Sequence, residues 1–127
     1  MAEIKTIETS EAPEAIGPYS QAVATDTMIF LSGQIPLDPK TQEMVSGGIA
    51  EQAEQVFKNL EAVLKEAGSG FDKVLKATCY MKDLSQFAEF NEIYGKYLGG
   101  TKPARATFEV AGLPKAALVE VDLIALR

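Results

Sequence analysis

Histidine is absent from all 127 residues. That excludes His general bases, Ser-His-Asp triads, Cys-His pairs and nearly all zinc and non-haem iron sites. Any catalysis must come from Arg, Lys, carboxylates, Tyr, Ser or Thr, backbone groups and water. Cysteine occurs once, as Cys79, so no internal disulfide can form. Long apolar runs are missing too, and none approaches the ~20 residues of a membrane span. The opening stretch, Met1 to Ala15, is polar and acidic, with neither the basic and apolar regions of a secretory leader nor Arg-rich amphipathic character. The expectation is a complete cytoplasmic protein with no membrane partner. Positive charge is scarce: 12 Lys and Arg stand against 18 Asp and Glu, a net charge of −6. Nucleic-acid footprints are usually basic, so this balance argues against one. At this length residues 1–127 are read as one domain with room for a real core.

What is present is organised around Pro103 to Val110. As a strand it alternates: Ala104, Ala106, Phe108 and Val110 point one way, and Arg105, Thr107 and Glu109 the other. After a turn at Gly112 to Pro114 comes a second alternating run, Val119 to Leu123, carrying Glu120 and Asp122. If both runs lie in one sheet, Arg105 and Glu120 can share a neighbourhood, with Glu109 and Asp122 as rival partners for the arginine. Such a pair is either a site or a structural ion pair at a subunit interface.

Earlier in the chain, Ile4 to Ile7 fits a short edge strand. Gly17-Pro18 breaks regular structure. Tyr19 therefore sits on a loop or strand start, either packed with its hydroxyl in water or presenting that hydroxyl to a cleft. Gln21 to Thr25 and Met28 to Ser32 read as a hairpin. The second of these strands is apolar on both faces, which implies that both are covered. Ser32-Gly33-Gln34 ends it, and Gly33 either makes a simple turn or lets a ligand approach the backbone. The loop from Pro36 to Gln42 is Pro-punctuated. From Ile49 the period becomes helical through Gln52, Ala53, Val56, Phe57, Leu60, Val63, Leu64 and Ala67, until Gly68 stops it. In a strand from Val74 to Met81, Leu75, Ala77, Cys79 and Met81 form the apolar side. Without a His or CxxC partner, Cys79 reads as a buried small hydrophobe. Asp83 or Ser85 can cap a second helix reaching about Leu98, with a stripe of Phe87, Phe90, Ile93 or Tyr94, and Tyr97. Asn91 falls among these aromatics and is expected to make a structural hydrogen bond.

Strand, strand, helix, strand, helix, strand, strand implies an α+β fold, with two helices on one face of a mixed sheet. Two helices cannot cover both faces. The bare face is expected to pack against other subunits.

Three segments together resemble the RidA/YjgF family of reactive-intermediate deaminases: Ile16-Gly17-Pro18-Tyr19-Ser20-Gln21-Ala22, Leu31-Ser32-Gly33-Gln34-Ile35-Pro36, and Pro103-Ala104-Arg105 through Glu109-Val110 to Leu113-Pro114-Lys115. The similarity spans nearly the whole chain. It implies a chorismate-mutase-like fold and a homotrimer with a central barrel of sheets. Three ligand clefts would lie between its subunits. The implied reaction is cofactor-free hydrolysis of 2-imino acids, such as 2-iminobutanoate and 2-iminopropanoate, to 2-oxo acids and ammonia. By the same resemblance Arg105 grips the substrate carboxylate and Glu120 lies near the attacking water. Tyr19, Ser32 and Gly33 line the cleft, and the backbone carbonyl of residue 107 helps position water. Position 107 is often cysteine in the family but is Thr107 here, which removes any role that needs sulfur. Gln42 replaces a common turn glycine, with only a local effect expected.

The implied chemistry is coherent with a site lacking histidine. A protonated imine is already electrophilic, so the protein need only orient it. Arg105 can take the carboxylate bidentately, and Glu120 can accept a hydrogen bond from water and carry its proton away. An adjacent Arg would lower the Glu120 pKa, making orientation its main role. The Ser32 hydroxyl or Gly33 N–H can contact the substrate or departing ammonia. Two other readings stay open: a non-catalytic trimer that binds small 2-oxo or related carboxylates, and a nuclease or translation inhibitor, which the acidic balance disfavours.

Overall fold

The computed structural model describes residues 3–127, so the first two residues of the polar opening stretch lie outside it. Eight elements build the fold: β1 (Lys5–Ile7), β2 (Ala22–Ala24), β3 (Met28–Gln34), α1 (Ile49–Glu66), β4 (Val74–Met81), α2 (Phe87–Leu98), β5 (Ala104–Glu109) and β6 (Val119–Leu126). The strands form one six-stranded sheet in the order β1-β2-β3-β6-β4-β5. Every pairing is antiparallel except β4 with β5, which is parallel and bridged by α2. Among the described residues, no helix is long and apolar enough to cross a membrane.

Both helices lie on the same side of the sheet. The stripe of α1 supplies Ile49, Ala53, Val56, Phe57, Leu60, Val63 and Leu64, all buried. They meet Ile29 and Leu31 of β3, Ala77, Cys79 and Met81 of β4, and Val119, Val121, Leu123 and Ala125 of β6. Phe57 is the hub where the helices meet. Its ring contacts those of Phe71, Phe90, Tyr94 and Tyr97. At the helix start, the N–H of Gly48 donates to Glu51 Oε1 at 2.8 Å. This satisfies a donor that the first turn leaves without a helical partner.

Two polar residues on α1 are buried to anchor neighbouring backbone. Gln52 Oε1 accepts from the Leu118 N–H at 2.8 Å, at the entry to β6. Asn59 Nδ2 donates to the Leu37 and Ile35 carbonyls, pinning the Pro-rich loop. The apolar periodicity flags Gln52 but not Asn59. Gln42 adopts φ 61°, the left-handed region where a glycine is easier. Its side chain donates to the Pro39 carbonyl and accepts from the Glu14 N–H, so the glutamine ties this loop to the N-terminal arm.

Two expectations need correction. On β4 the alternation slips at a bulge between Val74 and Lys76, which buries Val74 and leaves Leu75 42% exposed. On β3 the side chains that point away from the helices are not covered within the chain: Phe30 is 44% exposed. Leu126 of β6 and Phe108 of β5 share that bare side, at 45% and 52%.

Truncating the hub, Phe57→Ala, should cost about 3–5 kcal/mol, as for other buried Phe-to-Ala changes. A shift of the denaturant midpoint corresponding to less than about 1 kcal/mol would show that the aromatic cluster does not hold the helices together.

Candidate functional site

Strand alternation decides which candidates can meet. In the sheet register Ala77 of β4 lies beside Arg105 of β5 and Leu123 of β6, whereas Tyr80 lies beside Phe108 and Glu120. Paired residues share a face, and Ala77 and Tyr80 point to opposite ones. Arg105 therefore lies on the helix side and Glu120 on the bare side, with β4 between their strands. The sequence-level expectation that one sheet would bring the two together fails within the chain. Among the described residues no carboxylate approaches Arg105 within salt-bridge distance.

Arg105 is held by α2 instead. Its Nη1 donates to Asn91 Oδ1 at 2.6 Å. Its guanidinium carbon lies 4.4 Å from the centre of the Tyr94 ring and 5.3 Å from that of Phe87. The hydrogen bond expected of Asn91 thus goes to the arginine itself. Sequence reading had the aromatic stripe and Asn91 in view, but not that β5 would dock against them. Thr107 lies two residues further on the same face, beside Cys79. Its hydroxyl is buried and has no hydrogen-bond partner among the described residues. Burial pushes the Cys79 thiol up to about 12, against the opposing effects of Arg105 and Thr107, so it stays protonated and unreactive.

Glu120 occupies a different setting. Between Leu31 and Gln34 the register of β3 against β6 shifts, so Ser32 and Gly33 together stand opposite Asp122. A β-carbon on Gly33 would fall 2.5 Å from Glu120 Oε2. The absence of a side chain at Gly33 leaves the space that the Glu120 carboxylate fills. Burial, and then the like charge of Asp122, raise the Glu120 pKa above the ordinary carboxylate range. This reverses the expectation of a lowered value, because the arginine that would lower it is on the other face. The rivals are accounted for. Glu109 Oε1 accepts from the Leu84 N–H at 2.9 Å, and Asp122 Oδ2 accepts from the Tyr80 hydroxyl at 2.9 Å.

A groove of about 400 Å³ runs past Gly33, bordered by Tyr19, Gln34, Pro114 and Lys115. Tyr19 is 54% exposed. Its loop is fixed from below by buried Gln21, whose amide donates to the Thr9 and Pro13 carbonyls and accepts from the Thr9 N–H. The Ser32 hydroxyl donates to the Ser20 carbonyl at 2.6 Å, so it can only accept from a ligand. Lys115 and Ala116 adopt φ 56° and 58°, costly conformations for non-glycine residues, at the rim of this groove. A larger cleft of about 730 Å³ lies along the N-terminal arm, but its lining includes Glu8 and Glu14 and no cation. It offers a carboxylate no opposite charge.

The family model described as Endoribonuclease L-PSP matches residues 9–127. The chain belongs to this family, the Rid family. It is 48% identical over 123 residues to a Mus musculus protein named 2-iminobutanoate/2-iminopropanoate deaminase, covering 97% of this chain and 91% of that one. Its fold matches that of a Yersinia pestis protein titled as a member of the conserved Rid protein family, with TM-score 0.95, 45% identity and coverage of 98% and 100%. It also matches E. coli TdcF with bound serine, with TM-score 0.91, 39% identity and coverage of 97% and 99%. As a Rid-family chain it carries the α+β fold that its three motifs imply.

Two measurements follow from this geometry. Gly33→Ala should force the Glu120 carboxylate outward and bring its pKa down towards the ordinary value, because exposure removes the main cause of the shift. Carboxyl NMR titration reads this directly, and an unmoved Glu120 resonance would show that the bulge does not shape its setting. Glu120→Gln should raise the unfolding midpoint at neutral pH. A raised folded-state pKa contributes stability only at low pH, and that contribution is lost as pH rises through it. The amide's advantage must therefore vanish below the unfolded value of 4.5. An advantage that persists in acid would contradict the assignment.

Proposed function

We propose that this protein hydrolyses reactive 2-imino acids, such as 2-iminobutanoate and 2-iminopropanoate, to 2-oxo acids and ammonia. The observation that carries the reading is a guanidinium oriented by α2 yet without a carboxylate partner among the described residues. Such a group is suited to a carboxylate from outside. The 48%-identical mouse deaminase and the serine-bound TdcF support a small amino-acid-like ligand.

Since Arg105 and Glu120 are on opposite faces, the complete site forms between copies. Arg105 of one copy faces Tyr19, Ser32, Gly33 and Glu120 of the next, in a homotrimer whose barrel buries the bare sheet faces. The exposed Phe30, Phe108 and Leu126 support this burial. In the reaction, Arg105 holds the carboxylate, which fixes the plane of the conjugated C=N bond. Burial and the like charge of Asp122 raise the Glu120 pKa, which makes it a stronger base than an ordinary carboxylate. Glu120 accepts a proton as water attacks the protonated imine carbon, giving a carbinolamine, and returns it to the nitrogen. Glu120 then takes the hydroxyl proton as the carbinolamine collapses to the carbonyl and expels ammonia. The Thr107 carbonyl helps position the water, and no cofactor enters the balance.

A cytoplasmic dehydratase acting on serine or threonine supplies the short-lived imine for the test, and oxo-acid formation is followed with and without this protein. Acceleration is expected. Arg105→Ala should lose about 10- to 100-fold in kcat/KM, the worth of a hydrogen-bonded charge. Glu120→Ala should lose about 10²–10⁴-fold in turnover while still binding 2-oxobutanoate. If the native protein gives no acceleration yet binds 2-oxobutanoate through Arg105, it is a carboxylate-binding protein and not a deaminase. RNA cleavage that survives rigorous repurification would favour the activity named in the family description, against the net charge of −6.

A further inference from the structure

We propose that α2 is the positioning element of the carboxylate anchor. Asn91, Tyr94 and Phe87 form a seat that orients the Arg105 guanidinium and leaves its Nε–Nη2 edge for the ligand. This rests on the carboxylate role assigned to Arg105 above.

Arg105 is an exposed residue on the edge strand β5. Left alone, its long side chain would sample many rotamers, and a ligand would have to freeze them at an entropic cost. Three contacts remove that freedom. Asn91 takes one Nη1 hydrogen at 2.6 Å. The Tyr94 ring at 4.4 Å and the Phe87 ring at 5.3 Å engage the guanidinium by cation–π contact. No described residue accepts from Nε or Nη2. These two donors form a fork that matches a carboxylate. The seat therefore admits a planar carboxylate approaching in the guanidinium plane, as the conjugated carboxylate of a 2-imino or 2-oxo acid does.

The seat uses the ring of Tyr94 and not its hydroxyl. Tyr94 is only 7% exposed, and the protein offers its hydroxyl no hydrogen-bond partner among the described residues. Packing against Phe57 at 5.9 Å and Phe90 at 6.0 Å fixes the ring, which ties the seat to the core. Asn91, in contrast, is exposed, so changing it does not disturb the core.

The test uses 2-oxobutanoate as a stable carboxylate probe, imine turnover, and the Arg105 Nε–H NMR signal with its solvent-exchange rate. Asn91→Ala should raise the Kd for 2-oxobutanoate and the KM for imine about tenfold. It should leave kcat within about twofold and speed Nε–H exchange. Tyr94→Leu should do the same, and Tyr94→Phe should recover most of that loss; thermal unfolding of each variant confirms that it is folded. Unchanged Kd and Nε–H exchange in Asn91→Ala would overturn the seat, as would Tyr94→Phe being as damaging as Tyr94→Leu. If the native protein binds no 2-oxobutanoate, the seat serves no carboxylate and the proposal fails. If binding and its dependence on Asn91 hold while imine turnover is absent, the seat stands and only the deaminase reading falls.

Discussion

A β-strand sends successive side chains to opposite faces, and this sheet has helices on only one of them. Most of the molecule's organisation follows from that asymmetry. On β6, Val119, Val121, Leu123 and Ala125 enter the core, while Glu120, Asp122 and Ile124 stay on the other side. On β5 the parity is such that Arg105 joins the helix side and Phe108 the bare side. A slip of one residue in β6 would exchange its two sets and turn Glu120 and Asp122 towards the core. The hydrophobic pattern that secures the fold therefore also assigns each candidate residue to a face.

The two faces give the two halves of the candidate site different physical characters. Arg105 rests on an aromatic, helical support. Glu120 is tucked against the Ser32-Gly33 bulge beside Asp122, where burial and like charge favour its protonated form. Within one chain the two groups lie on opposite faces, so neither serves as the other's partner there.

Much of the architecture was legible in the residues. Both helices and the main strands follow from periodicity, and Gly68 stops α1 where the pattern ends. Cys79 falls on the buried side as its alternation implies. The misreadings share a physical origin in backbone irregularity. A bulge exchanges Val74 and Leu75 in a way that strict alternation cannot anticipate, and a second one makes Gly33 the neighbour of Glu120. Asn59 and Gln21 look like ordinary surface polar residues, because their partners are backbone groups 22 and 12 positions away, on Leu37 and Thr9.

Composition and pattern alone determined which chemistry is available: with no histidine and a single cysteine, Arg, Lys, carboxylates, hydroxyls, backbone groups and water remain. They also determined the α+β class and the family motifs, because these depend on local order along the chain. Which groups become neighbours was decided by the tertiary structure alone. Inserting β4 between β6 and β5 separates Arg105 from Glu120, and docking α2 on β5 pairs Arg105 with Asn91. Strand order and register arise from long-range pairing, which no local pattern of side chains encodes.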